Sequence, residues 1–306
     1  LRAVREFMDS KGFIEIDTPV LQPIYGGANA RPFKTFLHDL KLDIYLRISD
    51  ELYLKRLMVG GFDKVYEIGR DFRNESITRL RNPEFTMMES YWAYVDYNDM
   101  MELTEDLFNY VAKKVFGTTK FKIGNNNIDV KKPWKRMTMK DALMKFANLD
   151  IDKKNDTDLM HLLEKNNIQT EEFSRGIAME HLFKTLVEPK LIQPIFIIDY
   201  PKESTPLCKM KRGNSELIER FEPFINGWEM GNAYSELNDP IIQRDLLTKQ
   251  AEQLNKGKED AHPLDEDFIR AIEIGMPPMG GLGIGIDRMV MFLTGKESIR
   301  DVIAFP

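Results

Sequence analysis

Apolar and polar positions along the chain follow two periods. Leu1, Val4, Phe7 and Met8 make one stripe at helical spacing, which predicts an amphipathic helix stopping at Gly12. FIEIDTPVL follows, with apolar Phe13, Ile14, Ile16 and Val20. It reads as a strand whose ladder is broken at Thr18-Pro19, so it belongs at a sheet edge or an interface. YGGANARPF (25–33) is a loop that its glycine pair lets bend sharply. KLDIYLRIS (41–49) is a strand, and DELYLKRLMVG (50–60) a short helix with Asp50 as its cap. KVYEIGRDF (64–72) and EFTMMESYWAYV (84–95) are strands joined by a polar, basic loop. Alternation in the second puts Glu84, Thr86, Met88, Ser90 and Trp92 on one face and Phe85, Met87, Glu89 and Tyr91 on the other. A long amphipathic helix then ends at Gly117.

Residues 139–190 are Lys/Asp/Asn-rich at helical spacing, with no motif that suggests chemistry. They are expected to form an inserted helical subdomain. IQPIFIIDYP (192–201) is a continuous apolar run and reads as a buried strand. ELIERFEPFIN and GWEMGNAYSEL are strands with Asn226-Gly227 between them, a strong hairpin signal. DPIIQRDLLTKQAEQL and DEDFIRAIEIG read as helices, the second closed by Gly275 with Pro277 beyond it. GLGIGIDRMVMFL (281–293) is a glycine-rich strand running into an apolar helix. Strands joined mostly as hairpins predict an α+β fold, a mainly antiparallel sheet flanked by helices.

The 306 residues suffice for one large core or two domains. At 42% hydrophobic and 30% charged, the chain fits a globular protein. No apolar run approaches the ~18 residues of a membrane span. Charges interrupt the first helix, so it does not read as a signal peptide. The single cysteine, Cys208, excludes an internal disulfide and a cysteine-cluster zinc site, and a cytoplasmic setting is expected. A net charge of −6 argues against nonspecific coating of nucleic acid, though not against a local basic path for a folded RNA.

The chemistry concentrates in two arginine-bearing segments, FRNESITRLRNPEF (72–85) and GLGIGIDR (281–288). Alone, Arg73 would read as a surface arginine, and a GxGxG run as tight packing. The dinucleotide version of that run needs a βαβ unit with an acidic residue about 20 positions on. The 21 residues after Gly285 leave no room for one, so a Rossmann unit is not expected. Together, two guanidinium forks can hold one triphosphate from both sides. FEPFINGWEMGNAYSELND (221–239) supplies carboxylates between them. Glu222 and Glu229 lie seven apart on the expected hairpin and can oppose one another, as hard oxygen ligands for magnesium. His38, His161, His181 and His262 lie outside these motifs and read as surface or structural.

This order of parts resembles the catalytic domain of the class II aminoacyl-tRNA synthetases, subclass IIb. The first helix and strand resemble the motif that forms that class's dimer interface, here residues 1–21; FRNE…RNPEF resembles its second motif and GLGIGIDR its third. Within the class, GGANARPF, DELYLKRLMVGGFDKVYEIGRDFRNES, NPEFTMMESYWAY and GNAYSELND are most similar to the lysyl enzymes. The resemblance covers the whole chain. It implies ATP-dependent activation of L-lysine to lysyl-adenylate and ligation to tRNA(Lys), with ATP as substrate, Mg2+ as cofactor and a homodimer as the assembly. Arg73 would meet the α-phosphate and the amino-acid carboxylate, and Arg288 the γ-phosphate. Glu75, Arg81 and Phe85 would complete the ATP site, and Glu222 and Glu229 would ligate magnesium. Gly27, Glu51, Glu89, Tyr91, Asn232, Tyr234 and Glu236 would line the lysine pocket. Bacterial lysyl enzymes usually carry histidine where this chain has Arg81, and position 234 is often phenylalanine. The extra hydroxyl of Tyr234 is expected to matter little.

The pocket's charge sets its expected specificity. Burying an ammonium without partners costs several kcal/mol, and Glu51, Glu89 and Glu236 are its candidate partners. The attacking carboxylate is already ionised at neutral pH, so no general base is needed. Lysyl enzymes of this class carry an N-terminal anticodon-binding OB-fold, and no counterpart stands before the first motif here. Adenylate formation is therefore expected to outlast selective charging of tRNA. Two other readings share the fold: a short paralogue that attaches an amino acid to a protein, and a non-catalytic regulatory module.

Overall fold

The computed structural model describes residues 1–170, 173–258 and 260–306. Helix α1 (Arg2–Ser10) buries Val4, Phe7 and Met8 of the expected stripe together with Ala3, while Leu1 stands before the helix and is exposed. Strand β1 (Ile14–Glu15) is shorter than expected and forms an edge of the main sheet. The chain leaves the ladder because Thr18 turns to a side chain, its N–H and hydroxyl donating to the Glu67 carboxylate at 3.1 and 2.7 Å. Strands β2 (Leu21–Gln22), β3 (Lys34–Leu37) and β4 (Leu42–Leu46) form a small separate sheet. Helix α2 (Glu51–Val59) follows. Asp50 flanks it but does not cap it with its side chain. Its carboxylate lies 2.9 Å from Arg47, and the Ser49 hydroxyl instead accepts from the Glu51 N–H at 3.2 Å.

Strands β5 (Lys64–Phe72) and β6 (Glu84–Ala93) pair antiparallel along their length. Helix α3 (Tyr97–Phe116) begins in a reciprocal capping box between Asp96 and Asp99 and ends on Gly117 in the left-handed conformation. A hairpin of β7 (Lys120–Ile123) and β8 (Asn126–Asp129) precedes β9 (Lys135–Thr138). Helices α4 (Met139–Ala147), α5 (Asp156–Lys165) and α6 (Arg175–Leu186) make up the expected helical stretch; Glu171 and Glu172 within it lie outside the described residues. These helices are more than a solvated appendage. Leu143, Leu159, Leu182 and Phe183 share one apolar cluster with Ile195 and Phe224 of the main sheet.

Strands β10 (Ile195–Pro201), β11 (Met210–Lys211), β12 (Asn214–Ile225), β13 (Trp228–Glu229) and β14 (Gly231–Ser235) continue the sheet. Asn226 and Gly227, both at positive φ (58° and 72°), turn β12 into β13 as their pairing predicts. Helices α7 (Pro240–Asn255) and α8 (Glu266–Gly275) lead to β15 (Met279–Gly285) and α9 (Ile286–Thr294). The main sheet runs β1-β5-β6-β15-β14-β12-β10-β9, with β11 and β13 beside β12. Its β1–β5 and β9–β10 pairs are parallel and the others antiparallel.

Alternation splits the core between the two faces of this sheet. Met88, Phe196, Phe221, Leu282 and Ile284 point toward α1, α3 and α9. Tyr91, Ile195, Ile197, Phe224 and Tyr234 point to the face that α2, α4, α6 and α8 cover. Phe221 is fully buried, so Phe221→Ala would cost about 3–5 kcal/mol. On the second face the helices stand apart over the middle strands, and a cleft opens there.

Candidate active site

The cleft encloses about 590 Å³, and every residue expected at the site from the sequence lines it. Strand register explains why. Glu89, Gly283 and Asn232 form one row across β6, β15 and β14. Tyr91, Gly281, Tyr234 and Arg220 form the next, reaching β12. The GLGIG run supplies the floor. A Cβ on Gly281 would collide with Glu236 and Tyr91, so glycine there makes the room those side chains occupy. Gly27 (φ 90°) closes against Ser49 and Glu51, where a side chain would clash at 2.7–2.9 Å.

One end of the cleft is anionic. Glu51, Glu89 and Glu236 are all buried. Glu89 accepts from the Ser49 hydroxyl at 2.7 Å and the Tyr91 hydroxyl at 3.1 Å. Burial, then the charges of Asp71 and Glu51, push its carboxyl up to about 8. The Tyr234 hydroxyl lies 2.7 Å from both oxygens of Glu51, a contact the sequence did not indicate. Behind this end is a buried cluster in which Arg47 pairs with Glu67 at 2.5 Å, Asp50 at 2.9 Å and Asp71 at 3.4 Å. Among the described residues, the acidic triplet close enough to share a cation is Asp50, Asp71 and Glu89. Arg47 already supplies positive charge to the two aspartates, and burial pushes the Asp50 carboxyl up to about 10.

The other end carries the arginines. Arg73, just past the end of β5, donates to the Ile48 carbonyl at 3.2 Å and lies 5.1 Å from the centre of the Phe85 ring. Arg288, in the first turn of α9, donates to the Glu229 carbonyl at 2.6 Å and lies 3.5 Å from its carboxylate. Glu75 and Arg81 face each other at 3.6 Å near the rim, both partly exposed. Glu229 sits opposite Phe224 in the hairpin, so Glu222, two residues from Phe224 on the same face, is its diagonal neighbour. They are neighbours, offset by two residues from the direct opposition expected. Glu222 accepts from Arg220 at 2.6 Å and from the Tyr200 hydroxyl at 2.7 Å. Burial and Glu229 push it up to about 8 against the pull of Arg220. Burial also raises Glu229, but Arg288 and Arg220 outweigh it and leave that carboxyl low. Two hard carboxylates at one wall of a phosphate-sized cleft suit magnesium, which takes one or two such ligands and fills its shell with phosphate oxygens and water.

Several lining residues lay outside the sequence motifs. Arg220 joins Glu222 to Asn232, whose amide oxygen accepts from it at 2.8 Å. Its alternation with Glu222 along β12 was a usable signal. Glu180, Lys184 and Glu188 come from the helical stretch that carried no motif, and Glu180 reaches Arg220 at 3.5 Å. His181 and His262 line the cleft as well. His262 is buried 2.8 Å from the Asn29 side chain, and burial followed by Lys55 pushes it down to about 4. Nothing in its loop sequence marks this position.

The family model for tRNA synthetases class II (D, K and N) matches residues 1–306. Curated relatives match the whole chain. A lysine--tRNA ligase of Saccharolobus solfataricus is 53% identical over 308 residues, 100% of this chain and 62% of the relative. One of Clostridium novyi is 53% identical over 311 residues, covering 100% of this chain and 61% of the relative. One of Clostridium perfringens is 52% identical over 311 residues, covering 100% and 62%. The chain thus spans about three-fifths of the length of the relatives it matches.

Proposed function

We propose, from the premise that the chain belongs to the class II tRNA synthetases (D, K and N), that its cleft activates L-lysine with ATP and passes the lysyl group to tRNA(Lys). The observation that carries this reading is the polarity of one cavity, with Glu51, Glu89 and Glu236 at one end and Arg73 and Arg288 at the other. The chain's relatives named lysine--tRNA ligase support the same choice of amino acid.

The carboxylate end receives the side-chain ammonium, and the Gly27 carbonyl is offered to the α-amine. That leaves the α-carboxylate directed toward Arg73. One carboxylate oxygen forms a bond to the α-phosphorus, and the α–β bridging bond breaks with its electrons on pyrophosphate. Two anions must approach for this. Arg73 between them reduces their repulsion and fixes the line of attack. Phe85, packed against Arg73, offers its ring to the adenine; Glu75 and Arg81 hold the nucleotide at the rim, and Arg288 holds the far phosphate. Glu222 and Glu229 would hold magnesium, which when bound offsets charge on the phosphate oxygens. In the second half-reaction a terminal ribose hydroxyl of tRNA attacks the carbonyl carbon, and AMP leaves.

The reading extends to a cytoplasmic homodimer joined through residues 1–21. Leu1, Ile14, Val20 and Leu21 are exposed there, an apolar patch of the kind that pairs across a two-fold axis. Among the described residues no helix is long and apolar enough to cross a membrane. Trapping the activated amino acid with hydroxylamine tests the first step. Lysyl hydroxamate forming only with ATP present supports it, and no hydroxamate would sink it.

A further inference from the structure

We propose that Lys55 is a positioning residue for lysine selection: an ammonium of the protein's own, set behind Glu51 and Glu236, that holds both carboxylates in place for the substrate. This rests on the lysine-pocket reading above. Lys55 is on α2, one turn after Glu51, and its side chain is fully buried. Its ammonium lies 2.5 Å from Glu51 and contacts Glu236. The rings of Tyr234 and Tyr91 flank it, with centroids 5.5 and 5.9 Å away. Both carboxylates line the cleft, while Lys55 does not. It therefore acts through them.

The groups facing this ammonium come from every neighbouring element. Glu51 is on its own helix, and Tyr91 with Glu89 on β6. Tyr234 is on β14, with Glu236 just past its end and bridged to buried Cys208. His262 approaches from the loop before α8 and stays neutral. Lys55 is the cation amid three carboxylates. Burial holds the Glu236 carboxyl well above the usual range, and the Lys55 charge pulls it back down. With Lys55 present, its contacts hold both carboxylates together at the edge of the cleft, where an incoming ammonium meets them. Without it, two buried carboxylates would lose the cation that holds them side by side, and the attraction for the substrate would weaken.

The test is lysine-dependent ATP–pyrophosphate exchange by wild-type protein, Lys55→Met and Lys55→Arg at pH 7 and pH 9. Lys55→Met is expected to raise the lysine KM about tenfold or more at pH 7 by removing a charge-assisted pair, with the ATP KM little changed. The ratio of variant to wild-type lysine KM should shrink at pH 9, where loss of protons returns negative charge to the pocket. Lys55→Arg, which keeps the charge, should recover most of the loss. An unchanged lysine KM, an equal rise for ATP, or a ratio indifferent to pH overturns the proposal. If thermal melting shows Lys55→Met unfolded, Lys55→Gln decides in its place: a lysine KM raised without that for ATP supports the role, and neither raised, or both raised equally, overturns it. Wild-type protein without lysine-dependent exchange would instead overturn the pocket reading itself.

Discussion

The Tyr234 hydroxyl donates to Glu51 from 2.7 Å, across the substrate end of the cleft. Glu51 thereby has a neutral donor on one side and the Lys55 ammonium on the other. Removing the hydroxyl alone leaves the ion pair intact. Tyr234→Phe should therefore cost about 1 kcal/mol of lysine binding, or roughly a fivefold rise in the lysine KM. The ATP KM should stay where it is. Steady-state exchange kinetics measure both, and an equal shift in the two would show that Tyr234 does not act on the amino-acid side.

Glu89 makes the sharper prediction. Glu89→Gln keeps the shape and removes a carboxyl that gives up its proton to pair with the incoming ammonium, so the lysine KM should rise about tenfold, at about 1.5 kcal/mol, the low end for a charged hydrogen bond. The ATP KM should move far less. If both rise equally, or neither does, the pocket has been placed wrongly.

Proton linkage gives a test that needs no substrate. Glu89 holds its proton to about 8 and Asp50 to about 10 in the folded chain, whereas unfolded carboxyls release theirs near pH 4. Folded-state values are raised, so their contribution is complete below the unfolded pKa and is lost as pH climbs through the folded one. Melting temperature should fall from pH 6 to pH 9, and fall less in Glu89→Gln. A flat profile in both proteins would contradict this.

Much of this site was legible because its residues lie on strands of period two. EFTMMESYWA fixed Glu89 and Tyr91 on one face, and Asn226-Gly227 fixed the hairpin carrying Glu229. Arg73 and Arg288 were readable as a pair because each follows a strand of the same sheet. What stayed hidden depends on long-range packing. The contact of Glu180 with Arg220 joins residues 40 apart, and His262 reaches Asn29 across 233. No local period encodes such a contact. Asp50 misled because its helix-start position matches a cap, while buried Arg47 takes its carboxylate instead. The short sheet of β2, β3 and β4 was only partly seen, since its strands have two to five residues.

The two arginines should separate kinetically. Arg73 would touch both reacting groups, so Arg73→Ala should lower the exchange kcat by about 100- to 1,000-fold, the usual scale for a lost transition-state donor. Arg73→Lys should recover little, because a single ammonium cannot replace a planar fork. Arg288 would grip the distal phosphate, so Arg288→Ala should act mainly on the ATP KM. Rapid-quench measurement of adenylate formation distinguishes the two, and indistinguishable variants would contradict the assigned positions.

The exposed apolar residues near the start predict self-association. Leu21→Asp places a charge in the proposed interface and should shift the protein from dimer to monomer in sedimentation equilibrium. A wild-type monomer at micromolar concentration would remove the interface from the account.

The central claim is that one cleft holds ATP at its arginine end and a cationic amino acid at its carboxylate end. ATP–pyrophosphate exchange with each of the twenty amino acids in turn tests it most directly. Lysine alone should drive rapid exchange, with arginine and the neutral amino acids near background. Exchange driven better by another amino acid, or by none, would contradict it.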